Sequence, residues 1–134
     1  MHKKNILLLI IFFMSVAYIS AQTLTLRVEN IEPGKGHLWI AVFNDNRNNF
    51  PDNPFEWRKI PATNNVMEIA FFELPVGRYG IAVYQDANDN GIMDTNIFGI
   101  PIERYGFSND VRIPGFRRTL FDFNRNMTIT IRIR

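Results

Sequence analysis

Alternation of apolar and polar residues with a period of two is the feature that most restricts how this chain folds. It runs through residues 23–29 and returns in residues 127–133. A period of two puts every second side chain on the same face, as in a β-strand that buries one face only. Four further segments are rich in β-branched and aromatic residues and are bounded by Gly, Pro or Asn, namely residues 37–43, 66–74, 78–85 and 119–123.

These segments predict an all-β protein. No segment keeps a helical period of 3.6 residues over three turns. Short strands separated by turn residues predict one domain at residues 22–134, a single antiparallel β-sandwich of about six to seven strands, immunoglobulin-like or transthyretin-like. A small barrel is the alternative. The strand at residues 37–43 is apolar on both faces and is expected in the centre of a sheet, with Trp39 in the core.

The first 21 residues have the three parts of a secretory signal peptide. A basic head with Lys3 and Lys4 precedes an almost purely apolar run, and small residues close it before Gln22. The apolar run is shorter than the ~20 residues that a membrane-spanning helix needs, so we expect cleavage after Ala21. The sequence therefore predicts an exported protein, periplasmic or extracellular, that does not insert into a membrane once residues 1–21 are removed.

Formal charge gives no reason to expect nucleic acid as a partner. The whole chain has 15 Lys and Arg against 13 Asp and Glu, a net charge of +2. Lys3 and Lys4 belong to the predicted signal peptide, and without them 13 basic residues face the same 13 acidic ones. This balance favours neither nucleic acid nor an anionic membrane. The partner is unknown from the sequence, and export points to an envelope or extracellular one.

Residue counts also restrict the chemistry. Cysteine is absent, which excludes disulfides, thiolate zinc sites and thiol catalysis. Residues 22–134 contain one histidine, His37, and one serine, Ser108, and Ser108 lacks the following glycine of a nucleophile elbow. No Gly-x-Gly-x-x-Gly or Walker motif is present. These counts favour a protein without a catalytic site, and no catalytic residue is predicted.

One constellation of residues indicates a ligand. Residues 86–94 follow the calcium-loop pattern D-x-N-x-N-G-x-x-D, with Gly91 permitting the sharp turn. Ca²⁺ takes roughly six to eight oxygen ligands. The spacing offers oxygens from Asp86, Asn88, Asn90, the carbonyl of Ile92, and Asp94. Ile97 stands where an EF-hand has its bidentate glutamate, so we expect weak Ca²⁺ binding, with Kd about 10⁻⁴–10⁻³ M.

The same residues are also compatible with a metal-free turn. Asn90-Gly91 is a strong two-residue hairpin signal, and Asp and Asn side chains stabilise turns by bonding their own backbone. The sequence leaves both interpretations open. Asp89 is not at a ligand position of the pattern in either interpretation, and we expect it to support the ligand residues or to face solvent.

Two other groups of residues are candidates for binding. Phe50, Phe55 and Trp57 lie in the polar segment 44–65, where they form either a stacking platform for sugars or peptides or a cap over one end of the fold. The alternative function is a small-ligand carrier, for carbohydrate or peptide, or a hydrolytic enzyme. Its site would lie around the loops of residues 86–109 and use Asp86, Asp94, Glu103, Tyr105, Ser108 and Asn109.

A longer motif carries a family resemblance. Pro-Val-Gly-Arg-Tyr at residues 75–79 leads to the 86–94 loop, then to Thr-Asn at 95–96 and to Gly-Ile-Pro-Ile-Glu-Arg-Tyr-Gly-Phe-Ser-Asn at 99–109. This order resembles the exported bacterial family catalogued as domain of unknown function 2141. The resemblance implies a small secreted β-sandwich and brings no assigned activity. The 86–94 loop is also similar to the calcium loops of adhesin B-type repeat domains, which follow a strand of a sandwich.

Together these features predict an exported β-sandwich module, a non-enzymatic binding or structural protein of the bacterial envelope with Ca²⁺ as its one candidate cofactor. In this interpretation residues 99–109 form an Ω-type loop over one end of the domain. Tyr105 and Phe107 would anchor that loop, and Glu103 would be an extra ligand or an ion-pair partner.

Overall fold

The computed structural model describes residues 21–112 and 115–134. The predicted signal peptide lies outside these residues except for Ala21, so its cleavage stays a prediction. The elements are, in order, β1 (Leu24–Glu29), β2 (His37–Asn44), β3 (Glu56–Pro61), β4 (Met67–Phe71), β5 (Gly77–Asp86), β6 (Tyr105–Phe107), α1 (Phe116–Thr119), β7 (Phe121–Phe123) and β8 (Met127–Arg132). Within the described ranges, none of the helices has the length and apolar character needed to cross a membrane.

The strands form two sheets, which confirms a nearly all-β fold. The three-stranded sheet has the order β4-β1-β8, and the five-stranded sheet has the order β3-β2-β5-β6, with β7 paired to the start of β5. The prediction of a purely antiparallel fold is wrong for one pair, because β1 and β8 run parallel from Leu24 opposite Met127 to Glu29 opposite Arg132. These strands come from opposite ends of the described chain, so no tight turn has to join them.

The inner faces of the two sheets share one hydrophobic core. Strand β1 contributes Leu24, Leu26 and Val28, each fully buried, in the alternation read from its sequence. The main core residues of the other strands are Leu38, Ile40, Val42, Ile69, Phe71, Tyr79, Ile81, Val83, Phe123 and Ile131. Burying one such side chain contributes roughly 1.5–3 kcal/mol, so this shared core holds the two sheets together.

Three elements differ from the prediction. Strand β3 lies inside the segment predicted as a polar loop. The sequence pattern did not predict this strand because a charged residue, Arg58, occupies one of its inward positions. The Arg58 guanidinium donates to the carbonyl of Ala70 at 2.8 Å and lies 4.0 Å from the ring centre of Phe71. Strand β6 has only three residues, too few for a period to show, and the strand predicted at residues 119–123 begins as helix α1.

Candidate functional site

Strand β5 ends at Asp86, whose carboxylate organises the loop that follows. Asp86 is fully buried. Its Oδ1 accepts a hydrogen bond from the backbone N–H of Asn90 at 3.1 Å, and its Oδ2 accepts one from the backbone N–H of Gly91 at 2.8 Å. The indole N–H of Trp39 donates to the same Oδ2 at 3.3 Å. A buried carboxylate is costly unless it is hydrogen-bonded, and these three donors meet that need.

The asparagines of the loop continue this pattern. The Oδ1 atom of Asn88 accepts from the backbone N–H of Asn90 at 3.3 Å, and the Oδ1 atom of Asn90 accepts from that of Ile92 at 3.1 Å. Gly91 has a φ of +81°, a left-handed conformation that glycine adopts without strain. Each amide oxygen keeps a second lone pair. The loop is therefore folded by its own side chains while its oxygens keep capacity for a further ligand.

Asp94 and Glu103 close the loop. The carboxylate of Asp94 accepts hydrogen bonds from the side-chain amide of Asn90 at 2.9 and 3.0 Å. Glu103 accepts from the backbone N–H of Ala87 at 3.0 Å through Oε1 and from that of Asp94 at 3.1 Å through Oε2. Glu103, suggested by the sequence as an extra ligand or ion-pair partner, thus joins the two ends of the 86–94 loop by hydrogen bonds.

The side-chain oxygens of this loop system suit a hard cation. Carboxylate and amide oxygens are the ligands that Ca²⁺ prefers. Among the described residues, no Lys, Arg or His lies within 4 Å of the carboxylates of Asp86, Asp94 or Glu103. The same part of the chain holds no group of three or more His, Cys, Asp and Glu side chains around one point. A cation bound here would therefore also use amide and carbonyl oxygens.

Tyr84 responds to the charge of this loop. Burial raises the pKa of Tyr84 to about 12, and the negative charges of Asp86, Glu103 and Asp94 add to the rise. The ordinary tyrosine pKa is about 10. Because the folded protein holds the phenolic proton more tightly than the unfolded chain, Tyr84 contributes to the free energy of unfolding while it is protonated. This contribution is complete below about pH 10 and is lost towards pH 12.

This difference predicts a late titration in the tyrosinate absorbance of the folded protein. We expect a component near pH 12 in the unmodified chain that is missing from the Tyr84→Phe variant, which assigns it. Burial also raises the pKa of Tyr79, so the variant is needed to separate the two residues. A Tyr84 transition at the ordinary value near pH 10 would show that the residue is hydrated and contradict the prediction.

Asp89 turns away from the ligand positions, and its carboxylate joins the loop to the five-stranded sheet. Its Oδ1 lies 2.9 Å from Nδ1 of His37 on β2 and 3.2 Å from Nζ of Lys59 on β3. The hydrogen bond from Lys59 is the largest factor that lowers the pKa of Asp89. Asp89 therefore supports the position of the loop and leaves the other carboxylates unpaired.

Aromatic rings cover part of the outer face of the five-stranded sheet. The rings of Trp39 and Trp57 are stacked with centroids 5.4 Å apart, and Tyr84 stacks on the other side of Trp39 at 6.2 Å. The prediction that Trp39 lies in the core is wrong. Its neighbours Leu38 and Ile40 take the inward positions of β2, so the alternation puts the indole on the outer face.

The structure shows the predicted cap role for one aromatic residue of the segment 44–65. Phe50 folds back and packs on Phe43 and Phe116, with ring centroids 5.1 and 5.8 Å away, as the cap interpretation requires. Phe55 and Trp57 remain 48% and 59% exposed. Only Phe50 therefore serves as a cap in the way the sequence suggested for all three.

The residues of the alternative ligand or enzyme site fall into separate groups. Ser108 is fully buried beside the middle of β5, and its hydroxyl accepts from the backbone N–H of Ile81 at 2.9 Å. The side-chain amide of Asn109 donates to the carbonyl of Arg118 at 2.9 Å. Both residues use their polar atoms to hold neighbouring backbone, away from the 86–94 loop.

A hairpin at residues 95–101 follows the loop and was missed by sequence reasoning. Thr95 and Pro101 form a β-bridge, and the side chain of Asn96 accepts hydrogen bonds from the backbone of Phe98 and Ile100 at 2.9 and 3.0 Å. The expected Ω-type loop over residues 99–109 is therefore wrong. The chain instead makes this hairpin and then strand β6, which pairs with β5 through Tyr84 and Tyr105. The signal was the run of apolar residues at 97–102 in a segment otherwise typical of turns.

Comparison with known proteins identifies a family. No curated protein and no solved structure matches this chain. A family model described as an uncharacterized protein conserved in bacteria matches residues 26–130, a span that includes strands β2 to β7, most of β1 and β8, and the whole 86–94 loop. The match confirms the resemblance read from the motif at residues 75–109. This chain belongs to DUF2141, a family of uncharacterized proteins conserved in bacteria.

Proposed function

We propose that this chain is a non-enzymatic β-sandwich module, immunoglobulin-like or transthyretin-like, that is exported to the bacterial envelope and binds Ca²⁺ weakly through the 86–94 loop. The ligands are the side chains of Asp86, Asn88, Asn90 and Asp94 and the carbonyl of Ile92. The export signal at residues 1–21 supports a periplasmic or extracellular location, where calcium reaches the concentrations that a weak site needs.

The observation that carries this proposal is an oxygen-rich loop that is already folded and in which, among the described residues, the carboxylates of Asp86 and Asp94 have no basic side chain within 4 Å. Asp86 and Glu103 hold the loop through five hydrogen bonds, four of them from backbone N–H groups. Two basic side chains beside the loop, His37 and Lys59, lie 2.9 and 3.2 Å from Oδ1 of Asp89, which is outside the ligand positions. Because the loop is already ordered, binding a cation here would cost less free energy for loop ordering than binding at a disordered segment.

A thermal melt in calcium and in chelator tests the proposal. With Kd about 10⁻⁴–10⁻³ M, ~10 mM Ca²⁺ adds about 1.4–2.7 kcal/mol to the free energy of unfolding, which raises the Tm by several degrees. We expect the Asp94→Asn variant to lose most of this rise, because the change removes a charged ligand and keeps the size of the side chain.

Asp89→Asn is the matched control for this melt. It makes the same chemical change, carboxylate to amide, in the same loop. Asp89 contacts Lys59 and is not one of the proposed calcium ligands. We expect Asp89→Asn to keep the calcium-dependent rise in Tm. Equal melts in calcium and chelator for the unmodified protein, or equal loss of the rise in both variants, would refute a site with these ligands.

A further inference from the structure

The 95–101 hairpin presents apolar side chains to solvent. Ile97 is 93% exposed and Phe98 is 80% exposed, and Ile100 beside them is 58% exposed. Backbone hydrogen bonds between Asn96 and Ile100 at 2.9 Å and between Gly99 and Asn96 at 3.0 Å fix the turn that carries them. A fixed turn with large apolar residues at its tip is unusual for a water-exposed loop and indicates a contact with another surface.

The charge around the hairpin restricts what that surface is. Residues 87–103 contain no Lys or Arg and three acidic residues, of which Asp94 and Glu103 stand at the base of the hairpin. Neither carboxylate lies within 4 Å of a basic side chain in the described ranges. Bacterial and cellular membrane surfaces that carry anionic lipid attract basic segments and repel acidic ones. The complementary surface is therefore apolar in the middle and basic at its rim.

The opposite end of the five-stranded sheet has such a surface. A cavity of about 490 Å³ is lined by Phe50 and Phe116 and rimmed by Arg47, Arg117 and Arg118. Its apolar wall consists of the partly exposed ring of Phe50 and the edge of Phe116, which is 8% exposed, with ring centroids 5.8 Å apart. The three arginines are exposed, and within the described part of the chain none has a carboxylate within 4 Å.

The two surfaces are too far apart to meet within one molecule. The hairpin follows the Asp86 end of β5, while α1 and Phe43 pack beside Gly80 near the other end of that strand. The stretch of β5 from Gly80 to Asp86 spans about 20 Å at ~3.3 Å per residue. The hairpin of one molecule is therefore free to contact the cavity of another.

We propose that copies of this chain associate head to tail, with the hairpin tip of Ile97 and Phe98 in the Phe50–Phe116 cavity of the next copy. Asp94 and Glu103 of the first copy face the arginine rim of the second. The contact is heterologous, since different surfaces meet, so association continues beyond a dimer or closes into a ring. The contact surface is small, which predicts association that is weak and depends on protein concentration. This contact does not require the proposed calcium site, and Ca²⁺ bound at Asp94 would weaken its attraction to the arginine rim.

Sedimentation velocity of two double variants tests this proposal. One variant carries Ile97→Ser and Phe98→Ser and keeps the cavity, and the other carries Arg117→Glu and Arg118→Glu and keeps the hairpin. We expect the unmodified protein to grow in mass beyond a dimer as its concentration rises, and each double variant to stay monomeric. An equal mixture of the two variants retains one complementary pair of surfaces and should form a 1:1 dimer and nothing larger.

Several results would overturn the head-to-tail contact. These are a monomeric unmodified protein at every concentration, a double variant that assembles normally, or a mixture that stays monomeric. Sedimentation with neutral phosphatidylcholine vesicles supplies a further arm. If the protein stays monomeric and binds the vesicles, and Ile97→Ser with Phe98→Ser abolishes this binding, the hairpin contacts lipid instead of a second copy. Urea unfolding midpoints that match that of the unmodified protein show that the exposed substitutions leave the fold intact.

Discussion

Gly36→Ala is expected to reduce the free energy of unfolding by at least about 4 kcal/mol, which removes most of the stability of a typical domain. Gly36 precedes β2 and lies against the backbone at the end of β5. A Cβ atom there would overlap the carbonyl oxygen of Asp86 and lie 3.1 Å from the carbonyl carbon of Ala87. These are main-chain atoms at the start of the 86–94 loop, so no side-chain rotation relieves the clash.

Gly34→Ala is the matched control for this substitution. Both glycines have positive φ, +77° at Gly34 and +58° at Gly36, so both variants carry the left-handed strain of about 1–2 kcal/mol. A Cβ at Gly34 meets nothing within 4 Å. Urea unfolding of the two variants therefore isolates the clash. Equal midpoints for the two variants would mean that Gly36 does not pack against the start of the loop as the structure shows.

Asp86→Ala is expected to cost about 3 kcal/mol of stability in the presence of chelator. The substitution removes the acceptor of three donors, the backbone N–H groups of Asn90 and Gly91 and the indole N–H of Trp39. Leaving one buried donor without a partner costs roughly 1–3 kcal/mol, and the exposed part of the loop recovers some of this from water. Urea unfolding followed by tryptophan fluorescence measures the loss.

Asp94→Ala separates the structural role of Asp86 from a role in binding metal. Asp94 is only partly buried, and its carboxylate accepts hydrogen bonds from side-chain amides rather than from buried backbone. In chelator we expect it to cost less than about 1 kcal/mol. If Asp86→Ala left stability in chelator unchanged, the buried carboxylate would not be what holds the loop, and the pre-folded site would lose its physical basis.

These expectations describe a loop with two kinds of acidic residue. Asp86 is satisfied by protein donors and fixes the turn with or without a cation. Asp94 and Asn88 lie nearer the surface and hold each other through an amide-to-carboxylate hydrogen bond that a cation could replace. The turn and calcium interpretations of the sequence are therefore compatible, since a loop bonded to its own backbone is also one that presents oxygens to an ion.

Strands β1 and β8 were predictable from sequence because their alternation is uninterrupted, and β2, β4 and β5 because their β-branched and aromatic residues are bounded by turn residues. The observed bounds agree with the predicted ones to about one residue for β1, β2, β5 and β8, and β4 ends somewhat earlier than predicted, at Phe71. The pattern at residues 86–94 also located the loop in which Asp86, Asn88, Asn90 and Asp94 come together. In both cases the signal is local, since it depends on residue types at fixed spacing along the chain.

What sequence could not show depends on contacts between distant residues. Arg58 points inward only because the carbonyl of Ala70 and the ring of Phe71 receive its guanidinium, so β3 has no apolar alternation to read. The parallel pairing of β1 with β8 joins strands about a hundred positions apart, as in Leu24 opposite Met127. Glu103 joined the loop for the same reason, through bonds to backbone up to sixteen residues away.

Sensitised terbium luminescence tests the proposed calcium site most directly. Tb³⁺ takes the oxygen ligands that Ca²⁺ takes, and Trp39 donates its indole N–H to the proposed ligand Asp86 at 3.3 Å, close enough to transfer energy to a bound ion. We predict that excitation of tryptophan gives terbium emission that saturates and is displaced by Ca²⁺ at about 10⁻⁴–10⁻³ M. The emission should persist in Asp89→Asn and disappear in Asp94→Asn. Emission no stronger than that of free Tb³⁺, or equal emission from both variants, would contradict the site.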